Sequence, residues 1–312
     1  MVKKFNIELI PDMTGKVCIV TGSNTGIGKA CAMELAQQNA HVIVASRTPA
    51  RGIAAVKEIQ ETTGNAKVEF LQLDLASIES VSQFVTEFKA KNLPIHLLMN
   101  NAGVMACPYE LSKDGIEMQF ATNHASNIFV GHFYLTTQLL PIIEASAPSR
   151  IVNVSSNGHR FIQCRGLRLE ELNDKDKYGS FMAYGRSKAA NILFTRELNR
   201  RLEAKGVQNV YVNANHPGVV DSELARYSSP IIQKILKTFV LISTRDGSLT
   251  QMYLATSPDV EKNNIKGKYY IPYGVEKQPE RESTSESNQT LLWDFTENLL
   301  KNIIPDYTGA GI

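Results

Sequence analysis

Short unbroken apolar runs alternate with longer amphipathic stretches along the first two thirds of the chain. Val17-Cys18-Ile19-Val20 reads as a strand buried on both faces, followed by a helix from about Gly26 to Gln38. His41 to Ala45 is a second apolar strand, followed by a helix through Ala54, Val56 and Ile59. Val68 to Leu73 and Ile95 to Met99 read as two more strands, separated by a helix carrying Val81, Phe84, Val85 and Phe88 at helical spacing. Ile151 to Val154 and Val210 to Ala214 give a fifth and a sixth strand, and Tyr269-Tyr270-Ile271 a seventh. Strands that alternate with helices require parallel crossovers. The pattern therefore predicts an α/β fold: a doubly wound, mostly parallel, seven-stranded Rossmann-type sheet with helices on both faces and a ligand crevice at the carboxyl ends of the strands. The polar stretch Glu276 to Thr290 reads as a loop or arm, and Leu291 to Leu300 as a closing amphipathic helix. No long linker or repeat interrupts the chain, so 1–312 is one domain, with a core over about 11–272 and a C-terminal arm and helix over 273–312.

Composition narrows this little. The 312 residues are 43% hydrophobic and 21% charged, a globular balance, and a net charge of +2 supplies no field for nucleic acid. Cys18, Cys31, Cys107 and Cys164 form no C-x-x-C pair, so buried reduced thiols are expected, with no disulfide and no metal, in a cytoplasmic setting. Glu8, Pro11 and Asp12 break the N-terminal apolar pattern, which argues against a signal peptide or anchor there. Pro230 to Ile242 contains Lys234 and Lys237 and is too short to span a bilayer.

The stretch Thr21-Gly22-Ser23-Asn24-Thr25-Gly26-Ile27-Gly28 joins the first strand to the first helix. Glycine lets the backbone turn tightly and approach a pyrophosphate, while the helix N-terminus presents free N–H groups to the anion. A plain tight turn would look the same, but the position after a strand and before a helix favours a dinucleotide. An acidic residue at the end of the second strand would bind the ribose hydroxyls of NAD. Ser46-Arg47 stands there instead, and the Arg47 guanidinium suits the 2′-phosphate of NADP, with Lys29 as added charge. Tyr184 and Lys188 are four residues apart, on one face of a helix. A phenol titrates near ~10, and an adjacent ammonium is expected to lower that towards the working range.

These motifs, together with Asn100-Asn101-Ala102-Gly103, Ser155-Ser156 and His216-Pro217-Gly218-Val219-Val220, resemble the short-chain dehydrogenase/reductase family, and within it the retinol dehydrogenase and WW-domain oxidoreductase branch. Val104-Met105, Cys107-Pro108-Tyr109 and Phe194-Thr195-Arg196-Glu197-Leu198 support the branch, and the resemblance runs from about Pro11 to Pro272. It implies an oxidoreductase with Tyr184 as general acid and base, Lys188 lowering its pKa and holding the nicotinamide ribose, and Ser156 rather than Ser155 holding the substrate oxygen. It also implies that Gly22, Ser23, Asn24, Thr25, Gly26, Ile27, Gly28 and Arg47 bind cofactor. Asp74 and Leu75 would border the adenine, with a helix cap as the plain alternative for Asp74. Asn100, Ala102 and Gly103 would line the cleft, and Pro217, Gly218 and Val219 would sit by the carboxamide.

The pattern breaks at one place. The resemblance gives Asn123 the role of holding a water near the lysine, yet Ala125 to Val130 intervenes before Gly131-His132-Phe133. About five extra residues in a helix rotate its flanks roughly 140° out of phase, so Asn123 could move and Asn127 replace it. Family members also dimerise through this helix, which leaves homo-oligomerisation open. His124 and His132 read as packing residues, and the sequon at Asn153 as part of a buried strand. Ser222 to Thr244 reads as a lid whose Leu224, Tyr227, Ile231, Ile232, Ile235, Leu236 and Phe239 either pack on the core or wall a greasy pocket; Lys234 and Lys237 would permit shallow membrane contact. The expected substrates are lipophilic aldehydes or ketones reduced by NADPH, or the alcohols in reverse. The alternative is a catalytically impaired NADP-binding regulatory or scaffold protein.

Overall fold

The computed structural model describes residues 5–105, 107–118, 131–220 and 242–312. Four parallel strands, β1 (Val17–Thr21), β2 (His41–Ser46), β3 (Val68–Gln72) and β4 (Leu97–Asn100), alternate with helices α1 (Gly26–Gln37), α2 (Pro49–Thr63) and α3 (Ile78–Ala90). Helix α4 (Gly131–Ala145), β5 (Ser149–Val154), α5 (Ser180–Ala204) and β6 (Val210–Asn215) continue the pattern. The chain closes with α6 (Thr244–Thr256), α7 (Asp259–Lys262), β7 (Tyr269–Ile271), β8 (Val275–Glu276) and α8 (Glu286–Ile303).

The strands form one sheet in the order β3-β2-β1-β4-β5-β6-β7-β8. Every pair is parallel except β7–β8, where Ile271 faces Val275 and Tyr270 faces Glu276 across a short antiparallel return. The sheet thus has eight strands where the apolar pattern gives seven. Val275 and Glu276 are both exposed and too few to write a periodicity.

Alternation along β1 and β2 explains why the sheet needs a layer on each side. Val17, Ile19, Ile43 and Ala45 face one apolar core with Phe84 and Phe88 of α3, Leu139 of α4 and Leu193 of α5. Cys18, Val20, Val42 and Val44 face the other, with Leu35 of α1, Ile59 of α2 and Met252 of α6. On the first side α8 adds Leu292, Trp293 and Leu300. The Trp293 ring lies 4.7 Å from Phe133 and 6.0 Å from Phe194, with the Arg201 guanidinium 4.3 Å from its centre. This helix begins at Glu286, five residues before the apolar pattern does, because Ser285 caps it by accepting from the Asn288 N–H at 3.4 Å.

Among the cysteines Cys18, Cys31 and Cys107 are buried free thiols, whereas Cys164 is free but exposed, contrary to the expectation that all four are buried. It follows a 3₁₀ turn at the surface rather than lying on a strand or helix face. His132 is buried and its Nε2 meets the Thr21 hydroxyl at 2.9 Å. Asn153 is buried in β5 between Asn100 and Thr195. No cluster of metal-binding side chains, and no helix long and apolar enough to cross a membrane, is found among the described residues. Asn123, His124, Asn127 and the extra stretch Ala125 to Val130 lie outside those residues, as does the lid sequence from Ser222 through Phe239.

Candidate active site

A cleft opens at the carboxyl ends of β1 and β4, where the strand order reverses on either side of β1. Its floor is the turn after β1. Gly22 has φ +66°, and a Cβ on it would stand 2.8 Å from the Ala102 Cα; one on Gly28 would stand 2.6 Å from the Gly22 carbonyl oxygen. The two loops therefore approach as closely as backbones allow. Thr21 ties them together: its hydroxyl accepts from the N–H groups of Asn101 (2.9 Å) and Ala102 (3.0 Å), and its carbonyl accepts from the Asn101 amide at 2.9 Å. Gly22, Asn24, Thr25, Gly26, Ile27 and Gly28 line the cleft, and α1 points its N-terminus into it.

One end of the cleft is lined by Ser46, Arg47, Thr48, Arg51, Asp74 and Leu75. Arg51 was not foreseen from the sequence; it comes from the first turn of α2, which the fold lays beside the end of β2. Lys29, by contrast, adds no charge here, because its ammonium is held by Glu58 at 2.8 and 3.0 Å. Asp74 does not cap α3. Ser77 does, accepting from the Ser80 N–H at 3.3 Å, while Asp74 Oδ1 accepts from the Ala76 N–H at 3.0 Å.

The other end gathers Ser155, Ser156, Tyr184, Lys188, His216, Pro217 and Gly218. The two serines divide their work. Ser155 donates to the Lys188 carbonyl oxygen at 2.6 Å and so fastens β5 to α5. Ser156 Oγ accepts from the Gly158 N–H at 3.1 Å and hydrogen-bonds the Tyr184 phenol. Gly158 makes room for that ring: a Cβ there would lie 2.8 Å from Tyr184 Cε1. Lys188 is buried, donates to the Val154 carbonyl oxygen at 3.0 Å, and sits 5.7 Å from the centre of the Tyr184 ring.

Burial governs the titration of this pair. It pushes the Tyr184 phenol up to about 12, opposed by the Ser156 hydrogen bond. It pushes the Lys188 ammonium down to about 7. The expectation that Lys188 brings Tyr184 down is thus reversed in this structure: loss of solvent around the phenolate outweighs its neighbours. Burial also takes His216 down to about 4, so the ring beside the cleft is neutral; its Nδ1 accepts from the Gly218 N–H at 3.4 Å.

Three residues assigned to the cofactor do not reach the cleft. Ser23 turns back to donate to the Val20 carbonyl oxygen at 2.6 Å. Asn100 is buried beneath the wall, donating to Thr136 (3.0 Å) and Asn153 (2.8 Å), and Asn101 stands on the wall in its place. Val219 is exposed and does not line the cleft, while Val220 does. Ala102, Gly103, Pro217 and Gly218 are on the wall as expected. Asn123 falls outside the described residues. Val220 and Ile242 pair as a parallel bridge, so the segment between them leaves and rejoins the fold at the cleft mouth.

Comparison with known proteins agrees with this geometry. The family model described as short chain dehydrogenase matches residues 16–164. Retinol dehydrogenase 11 of Mus musculus is 44% identical over 289 residues, covering 92% of this chain and 87% of that protein. The WW domain-containing oxidoreductase of Homo sapiens is 39% identical over 306 residues, covering 96% and 71%. Among solved structures, an uncharacterised protein from Mycobacterium Paratuberculosis superposes with a TM-score of 0.73 at 31% identity, covering 96% of this chain and 98% of that one.

Proposed function

This chain belongs to the short-chain dehydrogenase family, on the branch that holds the retinol dehydrogenases and the WW domain-containing oxidoreductases, and on that footing we propose that it is an NADPH-dependent reductase of lipophilic aldehydes and ketones. One observation carries the reading. Ser156, Tyr184 and Lys188 meet at one end of a cleft whose middle is a glycine turn at a helix N-terminus and whose far end carries Arg47 and Arg51.

The residues fit a dinucleotide. The glycine turn leaves space that a Cβ would fill, and the α1 N–H groups would hold the pyrophosphate. Arg47 and Arg51, with Ser46 where a carboxylate would select NAD, would hold a 2′-phosphate. Asp74 and Leu75 would border the adenine, and Pro217 and Gly218 the carboxamide. When bound, the nicotinamide supplies or takes a hydride. As the carbonyl oxygen gains negative charge, Ser156 donates a hydrogen bond to it and Tyr184 delivers its phenolic proton. A phenol held as high as about 12 is protonated at neutral pH, which suits it to act as the acid of a reduction. Lys188, near its midpoint at about 7, would hold the ribose through its ammonium form. The apolar lid sequence begins and ends at the cleft mouth, which favours lipophilic substrates.

The test is oxidation of NADPH and NADH by the purified chain with a panel of lipophilic aldehydes and ketones, Tyr184→Phe alongside. Faster use of NADPH is expected, with turnover reduced about 10²-fold or more in Tyr184→Phe and NADPH binding retained. A wild type that binds NADPH yet oxidises it no faster than the variant with every carbonyl would refute the enzyme and favour a cofactor-binding regulator.

A further inference from the structure

The turn that carries Ser156 is latched by the C-terminal arm. Ser156 opens a 3₁₀ turn, Asn157–Ile162, and its carbonyl oxygen accepts twice from His159: from the backbone N–H at 3.1 Å and from ring Nδ1 at 2.7 Å. The other ring nitrogen, Nε2, meets Glu280 Oε2 at 2.6 Å, and the second oxygen of that carboxylate forms an ion pair with Arg160, 2.7 Å from its Nε. Glu280 thereby grips two consecutive residues of the turn from a segment more than a hundred positions downstream. The imidazole is buried and stands edge-on to Tyr269, ring centres 5.2 Å apart.

The hydrogen-bond chemistry is specific. Both ring nitrogens are engaged by oxygens, Nδ1 by a carbonyl and Nε2 by a carboxylate. Burial alone would raise the Glu280 carboxyl, but its backbone hydrogen bond, the His159 bond and the Arg160 charge together hold it below the usual carboxylate range. A charged carboxylate makes the stronger partner for the ring. The consequence reaches Ser156. Its carbonyl is held by His159 and its Oγ accepts from Gly158, while the same hydroxyl faces Tyr184.

We propose that His159 and Glu280 are positioning residues of the reductase site, the arm carboxylate fixing the imidazole and the imidazole fixing the Ser156 hydroxyl against Tyr184. This rests on the function proposed above and makes the arm a working part of the active site rather than a strap on the fold. Neither residue touches substrate.

Four variants of the full chain test it: His159→Phe, His159→Asn, Glu280→Ala and the Phe/Ala pair. Each is measured for kcat with the aldehyde that wild type reduces fastest, for NADPH affinity by fluorescence, and for Tm. His159→Phe and Glu280→Ala are each expected to lower kcat about 10–100-fold, the loss that follows a misplaced reacting group, with NADPH affinity unchanged. The pair should lose no more than the worse single variant, since one chain of contacts is broken either way. His159→Asn offers an N–H near the Nδ1 position and should recover part of kcat. Folded single variants with wild-type kcat, or His159→Asn no better than His159→Phe, would overturn the proposal. Should Glu280→Ala fail to fold, the isosteric Glu280→Gln carries the same expectation. Absence of turnover in the wild type would refute the reductase itself, and is thereby distinguished from a wild type that works alongside unaffected variants.

Discussion

At Tyr184 and Lys188, one helical turn apart, burial acts in opposite senses, raising the phenol to about 12 and lowering the ammonium to about 7. Both shifts favour the uncharged form, which is the signature of a dry pocket. The residue types and their four-residue spacing were legible in the sequence. The direction of the Tyr184 shift was not, because spacing reports a neighbour and says nothing of the solvent removed. Arg51 was equally hidden: it is a helix residue whose place beside Arg47 depends on how α2 packs on β2 and β3. Ser23, Asn100 and Val219 went the other way, motif residues that do not line the cleft. The two arginines carry a prediction. Arg47→Ala with Arg51→Ala should raise KM for NADPH about 10–100-fold, the loss of charge-assisted hydrogen bonds to phosphate, while KM for NADH stays level. Equal effects on both cofactors in steady-state kinetics would mean that these guanidiniums do not meet a 2′-phosphate.

The strands β1 to β7 were readable because burial on both faces writes unbroken apolar runs, and the helices because one face repeats every third or fourth residue. Helices α6 and α7 went unread, and two further elements escaped that logic. Strand β8 is two exposed residues, and α8 starts on a polar turn that its cap Ser285, not its apolar face, defines. Helix α8 matters beyond its length. Its Trp293 fills a space between Phe133 of α4, Phe194 of α5 and the Arg201 guanidinium, and the C-terminal end returns so that Arg201 also donates to the Ile312 carbonyl oxygen at 3.2 Å. Trp293→Ala should cost about 3–5 kcal/mol of stability through lost contacts and a cavity, read as a lower midpoint in urea. NADPH affinity should hold, since the cleft lies at the carboxyl ends of the strands. An unchanged midpoint would show that α8 does not brace α4 and α5.

For the molecule as a whole, the doubly wound plan was legible and with it the place of the cleft. The meeting of residues from seven separate stretches was not, since it depends on strand order that no local pattern encodes. The same burial that dries the site sets a pH dependence. His132 is held down to about 3 and His216 to about 4, by burial first and by the Lys188 charge second for His132; the His159 charge follows burial at His216. The unfolded chain therefore binds more protons between those values and 6.5. Stability from these rings is whole above about 6.5 and is lost as pH falls towards 4 and 3. Tm should drop from pH 7 to pH 5, less steeply in His132→Gln; identical slopes would show that His132 is not the ring being charged. The claim that unites these scales is a hydride passed from nicotinamide to a carbonyl carbon, with Tyr184 supplying the proton. NADPH deuterated at nicotinamide C4, a lipophilic aldehyde and the purified chain, followed by mass spectrometry of the alcohol, tests it directly. Hydride transfer predicts one deuterium on the carbinol carbon, and alcohol formed without deuterium, or no alcohol at all, would contradict it.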